Sequence, residues 1–236
     1  LILIGTFVNA AAIIAGALLG KFLPRIPDGI RKTVMQGLGL AVVFLGLQMS
    51  FKTENFLLLI ISLVIGSILG EMMRIEHYLN LAGLWLERKA GNLNRERSIA
   101  TGFVNATLVY CIGAMSVLGA MDSGLRGNHD ILYTKAMLDG FSSVIFTSTM
   151  GIGVAFAAIP VLLYQGAIAL LSTQIYNFIG SDMLNSILAE VTAVGGLLIV
   201  GIGINILEMK KINVANMLPS LIIAAVSVPI ADWLTH

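Results

Sequence analysis

The sequence predicts an all-α fold: a polytopic membrane helix bundle of about eight spans, with an inverted internal repeat and one interfacial amphipathic helix. Three observations carry that prediction. Of 236 residues, 57% are hydrophobic and only 11% charged, against roughly a quarter charged in soluble domains. The apolar residues fall in runs long enough to cross a bilayer. The basic residues gather in alternate connections between those runs.

The first run, 1–20, is apolar from its start, and Lys21 and Arg25 follow it. A signal peptide carries its positive charge before the apolar core. The run is therefore read as a retained transmembrane helix with its N-terminus outside. Gly5, Asn9, Gly16 and Gly20 share one face, suited to close helix contact. Pro24 and Pro27 end it. The second helix covers 32–51, with Gln36 and Gln48 as its polar positions, and a Lys52–Asn55 turn follows. The third covers 55–71. Its Ser62, Gly66 and Gly70 form a small-xxx-small ridge, which fits a contact within the chain or between copies of a homo-oligomer.

Residues 72–90 have a different pattern. Ile75, Tyr78, Leu79, Ala82, Trp85 and Leu86 line one face; Glu76, His77, Asn80, Glu87 and Arg88 line the other. That predicts an amphipathic helix in the membrane interface, or one resting on the protein's own cytoplasmic surface. A charged loop, 91–97, follows. The fourth helix, 98–121, is interrupted at Cys111–Ser116. After a polar loop at 122–130, the fifth covers 131–150. Gly151 and Gly153 make a tight link or kink into the sixth, 154–172, which contains Pro160. A polar connection over 174–182 leads to the seventh, 184–206, and the eighth covers 214–234.

With both termini outside, the cytoplasmic connections hold Lys21, Arg25, Arg31 and Lys32; Arg74, Arg88, Lys89, Arg95 and Arg97; and Lys210 and Lys211. These are eleven of the 14 basic residues, as the positive-inside rule expects.

Phe7–Ala10 recurs as Phe103–Ala106, each near the start of an apolar helix. Gly39, Gly46 and Gln48 align at one constant offset with Gly196, Gly203 and Asn205. A rival alignment sets Lys32, Gln36 and Gly37 against Lys135, Asp139 and Gly140. In either case the paired helices run in opposite senses. The chain thus divides into a first repeat, 1–71; an interfacial helix and loop, 72–97; and a second repeat, 98–236, carrying an inserted helix pair. Together they make one transmembrane domain. Inverted repeats are common in secondary transporters, whose sites lie where the repeats meet.

Phe103-Val-Asn-Ala106, Cys111-Ile-Gly-Ala-Met115, Lys135 with Asp139-Gly-Phe-Ser-Ser143, Ser148-Thr-Met-Gly-Ile-Gly153 and Gly201-Ile-Gly-Ile-Asn205 are notable as a set. In these motifs the chain resembles the YqgA/YdfK-type family of bacterial inner-membrane proteins, over nearly its whole length. The resemblance implies a multi-pass bacterial inner-membrane protein. It transfers no catalytic or binding residues, because that family has no settled biochemical function.

The most polar apolar-length stretch is 135–151. At 100° per residue, Lys135, Asp139, Ser142, Phe146 and Thr149 share one helical face, with Ser143 beside it. Charges at membrane depth usually face a bundle interior or an aqueous path. Lys135 and Asp139 are spaced to pair; Lys135 could also reach the outer interface. Glu190 lies about two turns into the seventh helix, with Asn205 roughly along its face. It could exchange a proton, serve Lys135 as counter-ion, or sit near the outer surface. The candidate site therefore lies on the face between the fifth and seventh helices. Asn9 and Asn105 hold equivalent places in the repeat and could line a central site, although an amide in a membrane helix often serves packing.

No nucleophile–base set, metal-ligand cluster or cofactor fingerprint stands out, so neither an enzyme nor a bound metal or cofactor is expected. Cys111 is the only cysteine, and the net charge of +1 offers nucleic acid no footprint. The expected partners are the lipid bilayer and a small solute or ion. The functional expectation is a secondary transporter, coupled to protons or sodium. An ion channel using the same polar face, or a non-transporting scaffold or sensor, is the alternative.

Overall fold

A computed structural model describes residues 2–22, 28–78, 81, 99–112 and 114–235. Its helices are α1 (Ile4–Phe22), α2 (Asp28–Ser50), α3 (Phe56–Met73), α4 (Ile99–Cys111), α5 (Ala114–Arg126), α6 (Asp130–Met150), α7 (Ala158–Ile179), α8 (Ser181–Ile206) and α9 (Pro219–Thr235). Short 3-10 segments, Ile152–Ala157 and Val214–Met217, lead into α7 and α9. No strand occurs among the described residues.

Among the described residues, six spans are long and apolar enough to cross a membrane, and α4 with α5, bent by 60° at their junction, would make a seventh. Helix α6 has 21 residues, enough to cross, but Lys135, Asp139 and its hydroxyls make it too polar to qualify by composition. The outward faces are apolar. Phe44, Phe141 and Leu163 are each about 70% exposed, at 70%, 71% and 67%. Such surfaces are rare on soluble monomers and suit lipid.

Several sequence expectations are refined. The fourth predicted helix is two helices, broken where expected. The Ser116 hydroxyl donates to the Tyr110 carbonyl across the break (2.8 Å), giving a partner to a carbonyl that the interruption frees. The Gly151 link is present: Gly151 has φ 93° and donates its N–H to the Thr147 carbonyl. Pro160 lies in the first turn of α7, where a missing N–H is harmless. The polar loop expected over 174–182 is instead helical on both sides of Gly180, whose φ of 78° permits a one-residue corner. Hydropathy marks the apolar part of a helix, and these helices continue beyond it. The amphipathic helix expected over 72–90 lies mostly outside the described residues; a helical turn over 75–78 is its visible beginning.

The chain forms two compact units. The first joins Leu1–Asp28 to Leu79–Ile175, and the second joins Gly29–Tyr78 to Tyr176–His236. Their boundaries differ from those of the predicted repeats.

In the first unit, α1 and α6 are parallel neighbours in close contact. A Cβ at Gly16 would overlap the Gly140 carbonyl, and one at Gly20 would overlap the Val144 carbonyl. The two backbones therefore touch, which only small residues allow. This contact turns the buried face of α6 towards α1.

In the second unit, α2 and α8 cross antiparallel on glycines. A Cβ at Gly46 would meet the Gly196 carbonyl at 2.5 Å, and one at Gly203 the Gly39 carbonyl at 3.0 Å. Glycines that align in the sequence thus contact each other's counterparts crosswise. The ridge of α3 is used within the chain: Gly66 lies on the Ser220 backbone, Gly70 lies on Asn216, and Ser62 is fully buried.

Gly46→Val should lower stability in detergent by about 1–3 kcal/mol, the usual cost of overpacking, because a carbonyl on the partner helix cannot rotate away. Gly37 has nothing within 4 Å of a built Cβ, so Gly37→Ala should be neutral or slightly stabilising. Thermal unfolding of the two variants in one detergent checks both; equal melting temperatures would refute the crossing.

Candidate functional site

The buried face of α6 is the one that the 100° periodicity marks. Lys135, Asp139, Ser143, Phe146 and Thr149 are buried, and Ser142 is half-buried. The Lys135 ammonium holds both oxygens of Asp139, at 3.0 Å from Oδ1 and 2.9 Å from Oδ2. Both residues are almost inaccessible, at 7% and 6%. Helix stability alone is a poor reason for this pair. A base preceding an acid by four residues opposes the helix dipole and is the weaker order. Two charges in a dry environment also cost more to desolvate than they recover, unless further hydrogen bonds complete them.

Those further bonds come from the rest of the unit. Asn9 Nδ2 on α1 donates to Asp139 Oδ2 (3.2 Å) and to Gln165 Oε1 on α7 (3.2 Å). Gln165 Nε2 donates to Ser116 Oγ on α5 (3.4 Å). Ser116 in turn donates to the Tyr110 carbonyl on α4. One chain of donors and acceptors therefore joins five helices of the first unit, α1, α4, α5, α6 and α7. Its direction fixes the amides: turning Asn9 over would set its oxygen against the Asp139 carboxylate and the Gln165 carbonyl.

Beside this chain, the Tyr110 hydroxyl and Ser143 Oγ are 2.8 Å apart, and Tyr110 stacks on Phe146. Ser142 Oγ lies 3.5 Å from the Tyr110 hydroxyl and donates to the Asp139 backbone carbonyl at 3.0 Å. Thr149 and Ser148 bond back to carbonyls of their own helix, the usual habit of hydroxyls in apolar helices.

Among the described residues, four buried oxygens of this unit have no hydrogen-bond partner: Thr6 Oγ1 and Asn9 Oδ1 on α1, Thr107 Oγ1 on α4, and Thr147 Oγ1 on α6. Thr6 and Asn9 are fully buried and lie three residues apart, on one helical face. Orphaned buried oxygens are rare in native proteins and mark places where something else binds or where strain is held.

Glu190 belongs to the second unit and has its own partners. Its Oε1 accepts from the Glu54 N–H (2.7 Å) and the Asn55 N–H (2.9 Å), and its Oε2 from the Thr53 hydroxyl (2.8 Å). Asn55 then caps α3 by accepting from the Leu57 and Leu58 N–H groups. Glu190 thus fastens the turn that starts α3. Asp139 and Glu190 are each bonded within their own unit. Asn205 fastens the next connection, donating to the Ile212 carbonyl (2.8 Å) and accepting from its N–H (2.7 Å). Asn105 is half-buried on α4 and takes no part in the network. Among the described residues no group of three His, Cys, Asp or Glu side chains could hold a metal ion.

Sequence reasoning missed Gln165, Tyr110 and Ser116. Gln165 had the clearest signal, a lone amide in the middle of an apolar run.

A family model described as "Protein of unknown function (DUF554)" matches residues 4–229. The chain is 36% identical over 227 residues to the uncharacterized membrane protein YdfK of Bacillus subtilis (strain 168), covering 94% of each. It is 32% identical over 229 residues to the uncharacterized protein YqgA of Escherichia coli (strain K12), again covering 94% of each. No solved structure matches.

Asp139→Asn would leave the Lys135 ammonium buried and uncompensated, which should cost about 3–5 kcal/mol. Removing both charges with Lys135→Met and Asp139→Asn together should cost clearly less than the two single changes summed. A double-mutant cycle of thermal unfolding in detergent measures the coupling, and additive losses would show that the pair is not energetically joined. Glu190→Gln should weaken the charge-assisted bonds to the turn, by about 1–3 kcal/mol. The expected sign is faster amide exchange at Glu54 and Asn55, with Asp139 and its neighbours unchanged.

Proposed function

The chain belongs to the DUF554 family, and from that premise we propose that it is a secondary transporter of a small solute or ion in the bacterial inner membrane, coupled to protons or sodium. The observation that carries this reading is the buried network of the first unit. It combines a completed charge pair with unpaired oxygens at Thr6 and Asn9. Intramembrane ionisable side chains mark substrate and ion pathways by default, and unpaired buried acceptors are what a solute or cation would occupy. In this reading Asp139 is the coupling group and Lys135 its resident counter-ion. Asn9, Gln165, Ser142, Ser143 and Tyr110 offer polar contacts along the way. Glu190 serves the architecture, because the 53–55 turn already engages both of its oxygens. The protein is then a carrier, not an enzyme.

Two further features support the proposal. The crosswise meeting of Gly39 and Gly46 with Gly203 and Gly196 is what a pseudo-two-fold between oppositely oriented helices produces. The basic residues favour both termini outside and eight spans, with α6 counted as one of them.

Proteoliposomes with a sodium gradient and an internal pH-sensitive dye test the reading. The wild-type chain should move protons, and Asp139→Asn should abolish that movement while Glu190→Gln retains most of it. Full flux in Asp139→Asn would remove Asp139 from the mechanism. Single-channel currents in planar bilayers would make the protein a channel. Variants that lose folding or assembly, with no flux in any form of the protein, would favour the scaffold reading, to which the complete bonding of Glu190 lends weight.

A further inference from the structure

The second unit carries a feature that transport through the first does not use. A groove of about 520 Å³ runs between α3 and α8. Its walls are Leu63, Val64 and Ile68 on one side and Leu197 and Ile204 on the other, with Gly201 between. Ser67 contributes the only side-chain hydroxyl in the lining. Val64 and Ile68 are more than half exposed, at 54% and 56%, so the groove opens sideways along two apolar spans rather than towards water. Its volume lies within the ~300–1,000 Å³ typical of small-molecule sites. Gly201 lets the 212–214 connection pack closely on α8. A Cβ there would come within 3.0 Å of Val214 and 3.5 Å of Ile212.

Ile212 also lines the groove, and the two residues before it are Lys210 and Lys211, both exposed. The position of this connection is built. Asn205, near the end of α8, grips both backbone groups of Ile212. The Val214 N–H donates to the Ile212 carbonyl at 2.9 Å. The lysines are thereby presented at the end of an apolar trough. Among the described residues no carboxylate forms an ion pair with either lysine. Glu71 accepts from the Asn216 side chain and Glu76 from the Ala215 N–H. Glu208 is one exposed carboxylate against two lysines.

We propose that this groove binds an anionic phospholipid, with an acyl chain between α3 and α8 and the phosphate at Lys210 and Lys211. An acyl chain matches the apolar walls, and the lipid's negative headgroup complements the paired ammonium groups. The positive-inside count puts the 207–213 connection on the cytoplasmic side, the leaflet that presents anionic lipid to juxtamembrane basic residues. The proposal gives Asn205 the role of positioning residue, and it does not depend on the transport reading.

Native mass spectrometry of the detergent-solubilised full chain tests it, using phosphatidylglycerol and phosphatidylcholine with identical acyl chains. The wild type should retain one phosphatidylglycerol preferentially. Each lysine near an anionic headgroup is worth about fivefold, so Lys210→Ala with Lys211→Ala should weaken that retention about twenty-five-fold. Phosphatidylcholine retention should stay the same. Ser67→Phe, which fills the groove from α3, should reduce retention of both lipids. Lys52→Ala, an exposed lysine elsewhere in the unit, should change nothing, and thermal unfolding shows which variants are folded. Equal retention of the two lipids by the wild type would overturn the proposal. So would a preference that survives loss of both lysines, or retention indifferent to Ser67→Phe. A dimer that Ser67→Phe dissociates would make a second copy the occupant instead.

Discussion

A carboxylate and an ammonium are buried together in the first unit, and much of that unit's architecture follows from completing them. Lys135 and Asp139 neutralise each other along one helix, but neutral charge is not full hydrogen bonding. The carboxylate needs a further donor, which is Asn9. Asn9 can reach it because Gly16 and Gly20 let α1 approach the α6 backbone at contact distance. Once Asn9 donates in that direction, its second hydrogen needs an acceptor, and Gln165 must turn its oxygen inward. Gln165 then needs an acceptor of its own. Ser116 supplies it, and the break between α4 and α5 supplies the carbonyl that takes the serine's proton. Each step removes an unpaired group whose burial would cost about 1–3 kcal/mol. The chain of requirements ends on backbone, on the fifth helix it reaches.

Part of this could be read from the sequence. The buried face of α6 followed from its periodicity, and the glycine link at 151–153 from composition. The glycines of α2 and α8 aligned before their crossing was visible. Other parts had no local signal. Helices α1 and α6 are separated by more than a hundred residues, and nothing in either states that they run parallel. Gln165 was conspicuous as an amide in an apolar run, but its partners lie on two other helices. Glu190 shows the same gap from the opposite side. Its position in an apolar helix suggested proton chemistry, whereas its partners are two backbone N–H groups and a hydroxyl in a turn more than 130 residues earlier. Backbone donors carry no residue identity, so no reading of side chains could reveal them. The helix ends around Gly180 were misjudged for a simpler reason: polar residues on a helix beyond its apolar stretch look like loop.

The two units manage backbone proximity differently. In the second, small residues meet small residues or backbone: Gly46 on Gly196, Gly39 on Gly203, Gly66 on Ser220 and Gly70 on Asn216. Such contacts are dry, and they are stabilised by dispersion without fixing any charge. Polar side chains appear there chiefly at the ends, where Glu190, Asn55, Asn205 and Asn216 fasten turns and caps. In the first unit the glycines of α1 instead bring a polar face into reach. The same sequence device, glycine every four to seven residues, thus serves rigid packing in one unit and a hydrogen-bonded interior in the other.

That contrast bears on why Thr6 and Asn9 keep unpaired oxygens. If the polar interior existed only to hold helices together, a leucine at Thr6 and a shorter chain of amides would do so at lower cost, since an apolar core avoids desolvation altogether. A network that completes a charge pair and still leaves acceptors unfilled is poorly explained by packing. In the transport reading proposed above, these acceptors are where the solute or ion is taken up. The orphaned oxygens of Thr6 and Asn9 also lie on α1, the helix that supplies the carboxylate's further donor. A solute or ion taken up there would compete directly with the bond from Asn9 to Asp139. Occupancy and the state of the charge pair would then be linked through one amide, which is the minimum coupling that a secondary transporter requires.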